Sequence, residues 1–208
     1  MLFFLISCRV DHTPYFQSSY YQKTKSRLDS LQKNRVVFND FVEAGFSKVS
    51  ITPSVGNAKD SIELGQFKEA PLAGFGARKG KSATGTHDSI FVKAAAIQVG
   101  KQLVVIVGAD ILIMPPNIID EVTLLLAKKG IQRNQVFYSA SHTHSSIGAW
   151  GPGFIGEQFA GQANPHINQW LVQQIAQAVT MAIADLKPAR IGNGYFNAAP
   201  YTRNRLVG

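Results

Sequence analysis

The chain of 208 residues is 45% hydrophobic and 16% charged, with a mean hydropathy of zero, which suits one sizeable core and excludes a disordered, collagenous or fibrous protein. Its single cysteine excludes a disulfide framework and a cysteine-based zinc ribbon, so a metal would need His, Asp, Glu or Tyr ligands. The net charge of +8 admits nucleic acid as a partner, but the basic residues are scattered, with only short clusters at Arg78-Lys79-Gly80-Lys81 and Lys128-Lys129 and no aromatic-interleaved stripe. The excess reads as a solvated surface, and no nucleic-acid partner is expected.

At the start, Met1 to Ser7 is apolar and uncharged and runs into Leu5-Ile6-Ser7-Cys8. This resembles a bacterial lipobox, in which the cysteine is lipidated, although the apolar stretch is short for a signal peptide and lacks a basic leader. The alternative is an apolar start with an incidental cysteine. The first reading expects a truncated lipoprotein-type signal over 1–8 with Cys8 as the lipidation site, a membrane surface as partner, and a place in the bacterial cell envelope or outside the cell. Residues 9–45 read as a tether, with Leu28 and Leu31 as the sparse apolar side of a short helix. Folding begins near Ala44, and 46–208 reads as the folded portion.

Phe46 to Ile51 alternates apolar and polar and predicts a half-buried strand that stops at Thr52-Pro53. Residues 54–88, rich in Gly and Lys, predict a long loop with an extended piece around Leu72 to Phe75, and loops of that length are usually functional. Ile90 to Val99 and Leu103 to Gly108 are two β-prone runs joined by Gly100-Lys101-Gln102, a hairpin signal. The second is almost continuously apolar, which predicts a central strand covered on both faces. The longest apolar run, Leu103 to Met114, is broken by Gly108 and Asp110 and falls short of the roughly 20 residues that cross a bilayer. Pro115-Pro116 opens a helix with Ile118, Ile119, Val122, Leu125 and Leu126 on one face and Gly130 as its stop.

Val136 to Ala140 predicts a further strand, and Asn164-Pro165 caps a second long helix. A last strand is expected over roughly Arg190 to Phe196. The order makes the class α/β, with helices covering a mixed β-sheet.

Gly74 to Ser82 looks like a phosphate-binding loop but has Phe75 where the pattern requires glycine, and no helix-forming sequence follows, so nucleotide binding is rejected. The strongest local signal is Ser139-Ala140-Ser141-His142-Thr143-His144-Ser145-Ser146 with Gly148, Gly151 and Gly153 after it. A strand that runs out into two histidines at i and i+2, below a glycine-rich loop, is a way of supplying imidazole nitrogen to a catalytic zinc. Two surface histidines at a strand end are the alternative. His166, at a helix start, is a weaker candidate, and Asp110 reads as an orienter or loop anchor.

At these residues the sequence resembles the neutral/alkaline non-lysosomal ceramidases, specifically the N-terminal part of their catalytic domain. The pieces run in the family's order over about Ala44 to Arg205: Ala44-Gly45-Phe46, Ile51-Thr52-Pro53, Ala73-Gly74-Phe75-Gly76, Gly85-Thr86-His87-Asp88, Gly108-Ala109-Asp110, His142-Thr143-His144-Ser145 and Asn204-Arg205. The resemblance implies that His142 binds a catalytic Zn2+, that His144 beside the metal assists the chemistry, and that Arg205 reaches the substrate. It implies cleavage of the amide of an N-acyl sphingoid or related lipid, with the other zinc ligands supplied by sequence beyond Gly208. The chain would then be an incomplete N-terminal portion of a larger catalytic domain. Ser141, Ser146 and Ile147 depart from the family's pattern, as does the His87-Asp88 form, and these bear on substrate. The competing reading is a surface lipoprotein of the same fold that binds ligand or packs without catalysis.

Overall fold

The computed structural model describes residues 12–35, 37 and 40–202. The chain divides into Met1–Asn39 and Asp40–Gly208. In the first unit, a turn of 3-10 helix at Tyr15–Gln17 leads into helix α1, Ser19–Lys33. No residue of α1 is buried, and Leu28 and Leu31 are exposed. What supports it locally is an i,i+4 pair between Lys25 and Asp29 at 2.6 Å.

The second unit is built on five strands: β1 Val42–Ser50, β2 Phe91–Val99, β3 Gln102–Ala109, β4 Val136–Ala140 and the two-residue β5 Lys187–Pro188. Their order across the sheet is β4-β3-β2-β1-β5; β3 and β4 run parallel and the other neighbours antiparallel, so the sheet is mixed. The hairpin turns on Gly100 and Lys101 alone, since Gln102 already pairs with Val99. Strand β1 starts before the alternating stretch, at Val42.

Helix α2, Pro116–Ala127, buries Ile118, Val122 and Leu126, and α4, Pro165–Ala184, buries among others Leu171, Ile175 and Val179. Helix α4 packs on β1, β2 and β3 and α2 packs on α4, their apolar side chains sharing one core with Val49, Val92, Val105, Val107 and Val136 on one side of the sheet. The start of α4 is fixed as its sequence predicts: the Asn164 side chain accepts from the amides of His166 and Ile167 at 2.9 and 3.4 Å, with Pro165 at the first helical position. Its end lies hard against β1. A Cβ on Gly45 would sit 2.2 Å from the Ala182 carbonyl oxygen, which is why glycine interrupts an otherwise β-prone strand.

Three expectations are corrected. Strand β3 is inside the sheet, but only one of its faces is covered, because Val104 and Ile106 are 37% and 50% exposed on the other. In register with Ile106 lie Ala95, Phe46 and Phe137, giving an apolar row across four strands on the uncovered side. The strand expected over Arg190 to Phe196 does not form. Pairing at that edge ends with the Ala189 amide donating to the Val42 carbonyl at 2.9 Å, because Val42 is the first residue of β1 and offers nothing further to pair with, and the residues that follow are exposed or half-buried without a partner strand. Finally, the glycine-rich stretch after the two histidines contains a short helix, α3, Gly153–Ala160. Its Gly156 packs so closely on Gly151 that a Cβ would fall 2.5 Å from the Gly151 carbonyl oxygen.

The long loop is pinned rather than loose. Phe67 is fully buried edge-on to Trp170 with ring centroids 5.5 Å apart. Asp60 accepts from the Lys68 amide at 2.8 Å and from Asn164 Nδ2 at 3.2 Å, and lies 3.2 Å from His166 Nδ1. Chiefly the Lys68 amide, and then Asn164 and His166, hold its carboxyl below the ordinary carboxylate range.

Candidate functional site

The two parallel strands β3 and β4 end side by side, and the chain leaves both at their carboxyl ends, where open α/β sheets offer ligands a crevice. Ser141 extends the pairing by one bond, donating its amide to the Ala109 carbonyl at 2.9 Å. His142 then takes the left-handed conformation, φ 58°, which turns the chain out of the sheet and is uncommon for a residue with a side chain. Its Nδ1 lies 2.7 Å from the Leu112 carbonyl oxygen. A carbonyl can only accept, so Nδ1 carries a proton, and in the neutral ring the lone pair is then on Nε2; metal-binding imidazoles are commonly oriented this way.

His144 comes back beside it, ring centroids 5.0 Å apart at 77°. The Phe75 ring lies 4.6 Å from the His144 ring. Gly74 is at φ 80° with its Cα so close that a Cβ would meet His144 Cγ and Nδ1 at 2.7 Å. Unlike His142, His144 has a buried Nδ1 with no hydrogen-bond partner. Arg78 holds this segment from the other strand of the loop, donating from Nη1 to the His144 carbonyl at 2.8 Å. The loop is stitched on further by Ala73 to Ser146 and by Gly148 to Pro71, at 3.0 and 2.6 Å.

A cavity of about 380 Å³ opens beside the histidine segment, lined by Thr52, Leu72, Thr86, His87, Thr143 and Ser145 among others. His142 and His144 are not in its wall. Ser146 also borders it, and its buried Oγ has no partner.

Of the residues singled out from sequence, the structure brings His142 and His144 together and sets His166 apart, paired with Asp60. Among the described residues no three His, Cys, Asp or Glu side chains group as a metal would require. Asp110 is a loop anchor: its carboxylate accepts the Phe91 amide at 3.1 Å at the start of β2. Cys8 and Arg205 lie outside the described residues. Sequence reasoning missed Arg78, which it placed in a solvated basic cluster; only its repetition of glycine and basic residues marked the spot, and that pattern pointed to phosphate. The phosphate-loop reading stays rejected, since Gly76–Arg78 is a single 3-10 turn and no helix begins at Lys81.

Fold and site together define an α/β domain with a histidine pair at the carboxyl edge of two parallel strands of a mixed sheet. The family model for the N-terminal part of neutral/alkaline non-lysosomal ceramidases matches residues 54–206, and the chain belongs to that family. Among solved structures it is similar to the neutral ceramidase from Pseudomonas aeruginosa, with 19% identity and a TM-score of 0.60 over 72% of this chain. A structure described as ceramidase complexed with C2 is similar at 20% identity and a TM-score of 0.59 over 72% of this chain. Identity at this level speaks for a shared fold. The chain spans 22% of the length of each of those proteins.

Proposed function

We propose that this chain is the N-terminal portion of the catalytic domain of a zinc-dependent, ceramidase-type hydrolase that cleaves the amide of an N-acyl sphingoid or related lipid. The observation that carries the reading is the hydrogen bond from His142 Nδ1 to the Leu112 carbonyl at 2.7 Å, which in the neutral ring orients the Nε2 lone pair for a metal at the open end of the sheet. His142 is the metal ligand, His144 the group that holds or moves a proton beside it, and Arg205 the substrate contact. A zinc ion there would supply Lewis acidity and a more acidic bound water. The two imidazoles fit one ligand position and one neighbour, and the remaining ligands come from sequence after Gly208. The uncovered apolar row Phe46, Ala95, Ile106 and Phe137 supports the same view, since a sheet face of this kind is normally packed against another layer. Cys8 as a lipid anchor would place the protein at a membrane surface, in the bacterial envelope or outside the cell, close to a lipid substrate.

The cavity beside the histidine segment, whose wall includes neither His142 nor His144, favours a second reading, a non-catalytic lipoprotein of the same fold that binds ligand. Metal analysis beside an amide-hydrolysis assay separates the two. In the complete protein His142→Ala should lose zinc and turnover together, whereas His144→Ala should keep zinc and lose turnover by about 10² to 10⁴-fold. The 208-residue chain alone should bind zinc weakly. Unchanged zinc and rate in both variants would overturn the assignment.

A further inference from the structure

We propose that Arg78 and Phe75 are positioning residues for His144, locking its ring in place of the hydrogen bond that it lacks. The inference rests on the reading of His144 as the proton-handling group, but its structural half can be tested without activity.

The contrast between the two histidines is the starting point. The His142 ring is oriented by its bond to Leu112. The His144 ring has no such bond, and its Nδ1 is buried without a partner. What surrounds it is aromatic: the edge of His142 at 5.0 Å and the Phe75 ring at 4.6 Å, inclined by 59°. A ring without a polar tether is held by packing, so its orientation is only as firm as the groups packed on it.

Phe75 is itself held in an unfavourable conformation. Its φ of 51° lies in the left-handed region, which costs a residue with a side chain about 1 to 2 kcal/mol and persists only where the surroundings over-determine it. The Arg78 side chain adds to the backbone bonds that do so, from the Arg78 amide to the Phe75 carbonyl and from the Gly74 amide to the Phe159 carbonyl, both 2.7 Å. Its guanidinium carbon stands 5.1 Å from the centre of the Phe75 ring, on the scale of a cation–π contact. Its Nη1 donates to the His144 carbonyl at 2.8 Å and reaches the Ala73 carbonyl at 3.4 Å. One planar group thus ties the backbone before Phe75 to the backbone of His144 while stacking on the ring between them. Among the described ion pairs none involves Arg78, so its placement is not explained by charge pairing. Lysine, with a point charge and no planar fork, would reproduce the charge but not the combination of stack and hydrogen bonds.

The test is NMR of the 208-residue chain with labelled histidine, using the Phe75→Leu, Arg78→Gln and Arg78→Lys variants, with thermal melts as the folding control. Phe75→Leu removes the ring current and should move the His144 ring signals while leaving those of His166 in place. Arg78→Gln should move or broaden the same His144 signals, and Arg78→Lys should restore them only in part. His144 signals unchanged in folded Arg78→Gln would overturn the proposal, as would equal shifts at His166. In a protein competent for amide hydrolysis, Arg78→Gln should lower kcat by about tenfold to a hundredfold, the scale of a small misplacement, with KM and zinc content retained. A rise in KM at constant kcat would overturn positioning and make Arg78 a substrate contact. If the His144 signals shift as expected but the wild-type complete protein hydrolyses no N-acyl amide, the functional reading fails and the positioning of His144 stands.

Discussion

Replacing Gly74 with alanine perturbs the site at its tightest point. The added Cβ would lie 2.7 Å from Cγ and Nδ1 of His144 and 2.9 Å from its Cβ, at a backbone φ of 80°. The left-handed conformation costs a residue with a side chain about 1 to 2 kcal/mol, and forcing a methyl into a packed contact adds about 1 to 3 kcal/mol. The contact is with a ring that Phe75 already covers on one side, so little of the clash can be relieved by rotation. The total, roughly 2 to 5 kcal/mol, corresponds to a fall in melting temperature of roughly 5 to 20 °C for a unit of this size. The control is two residues away: a Cβ on Gly76 meets nothing within 4 Å and its φ is not in the left-handed region. Gly76→Ala is therefore expected to be within about 0.5 kcal/mol of wild type, as an ordinary surface substitution is. Thermal and urea melts of both variants followed by circular dichroism measure the difference. Equal melting of Gly74→Ala and Gly76→Ala would show that the loop does not press on His144.

The Asp60 anchor should be visible in the pH dependence of stability. Its folded pKa lies below the ordinary 3.8, so the unfolded chain binds more protons in that range. The contribution is therefore complete above the ordinary value and is lost as pH falls through the lowered one. Urea midpoints of wild type should fall over that acid window more steeply than those of Asp60→Asn; identical profiles would mean that the carboxylate does not hold the loop to α4. On the uncovered sheet face, wild type should enhance the fluorescence of a hydrophobic dye, and the Phe46→Ser, Ile106→Ser, Phe137→Ser triple variant should lose most of that enhancement while keeping its melting temperature within a few degrees. A large loss of stability in the triple variant would show that the face contributes to this chain's own core.

The sequence by itself determined the elements whose signals are local. Asn164-Pro165 marks the start of α4 because the cap is formed by neighbours in the chain, and Pro115-Pro116 and Gly130 bracket α2 for the same reason. Apolar runs around Gly100-Lys101 sufficed for the hairpin, and Val136 to Ala140 for β4. The His142 and His144 pair was legible as two imidazoles one residue apart after a strand, although their ring contact depends on the left-handed turn at His142 and on Phe75 and Gly74 packed against His144. Tertiary structure alone decided everything that depends on distant segments meeting. The apolar run of β3 could not reveal that helices cover one face only, since composition records that a strand is apolar and not where its neighbours lie. Arg190 to Phe196 has strand-like composition, but a strand needs a partner, and β1 begins at Val42, which the Ala189 amide already reaches. Nothing in the neighbouring residues says why Gly45 and Gly74 must be glycine; α4 and His144 press against them. Arg78 is 66 residues from His144 in the chain, and no local pattern foretells which carbonyl a guanidinium will find, because long-range hydrogen bonds are set by how the loop is folded back and not by the residues on either side.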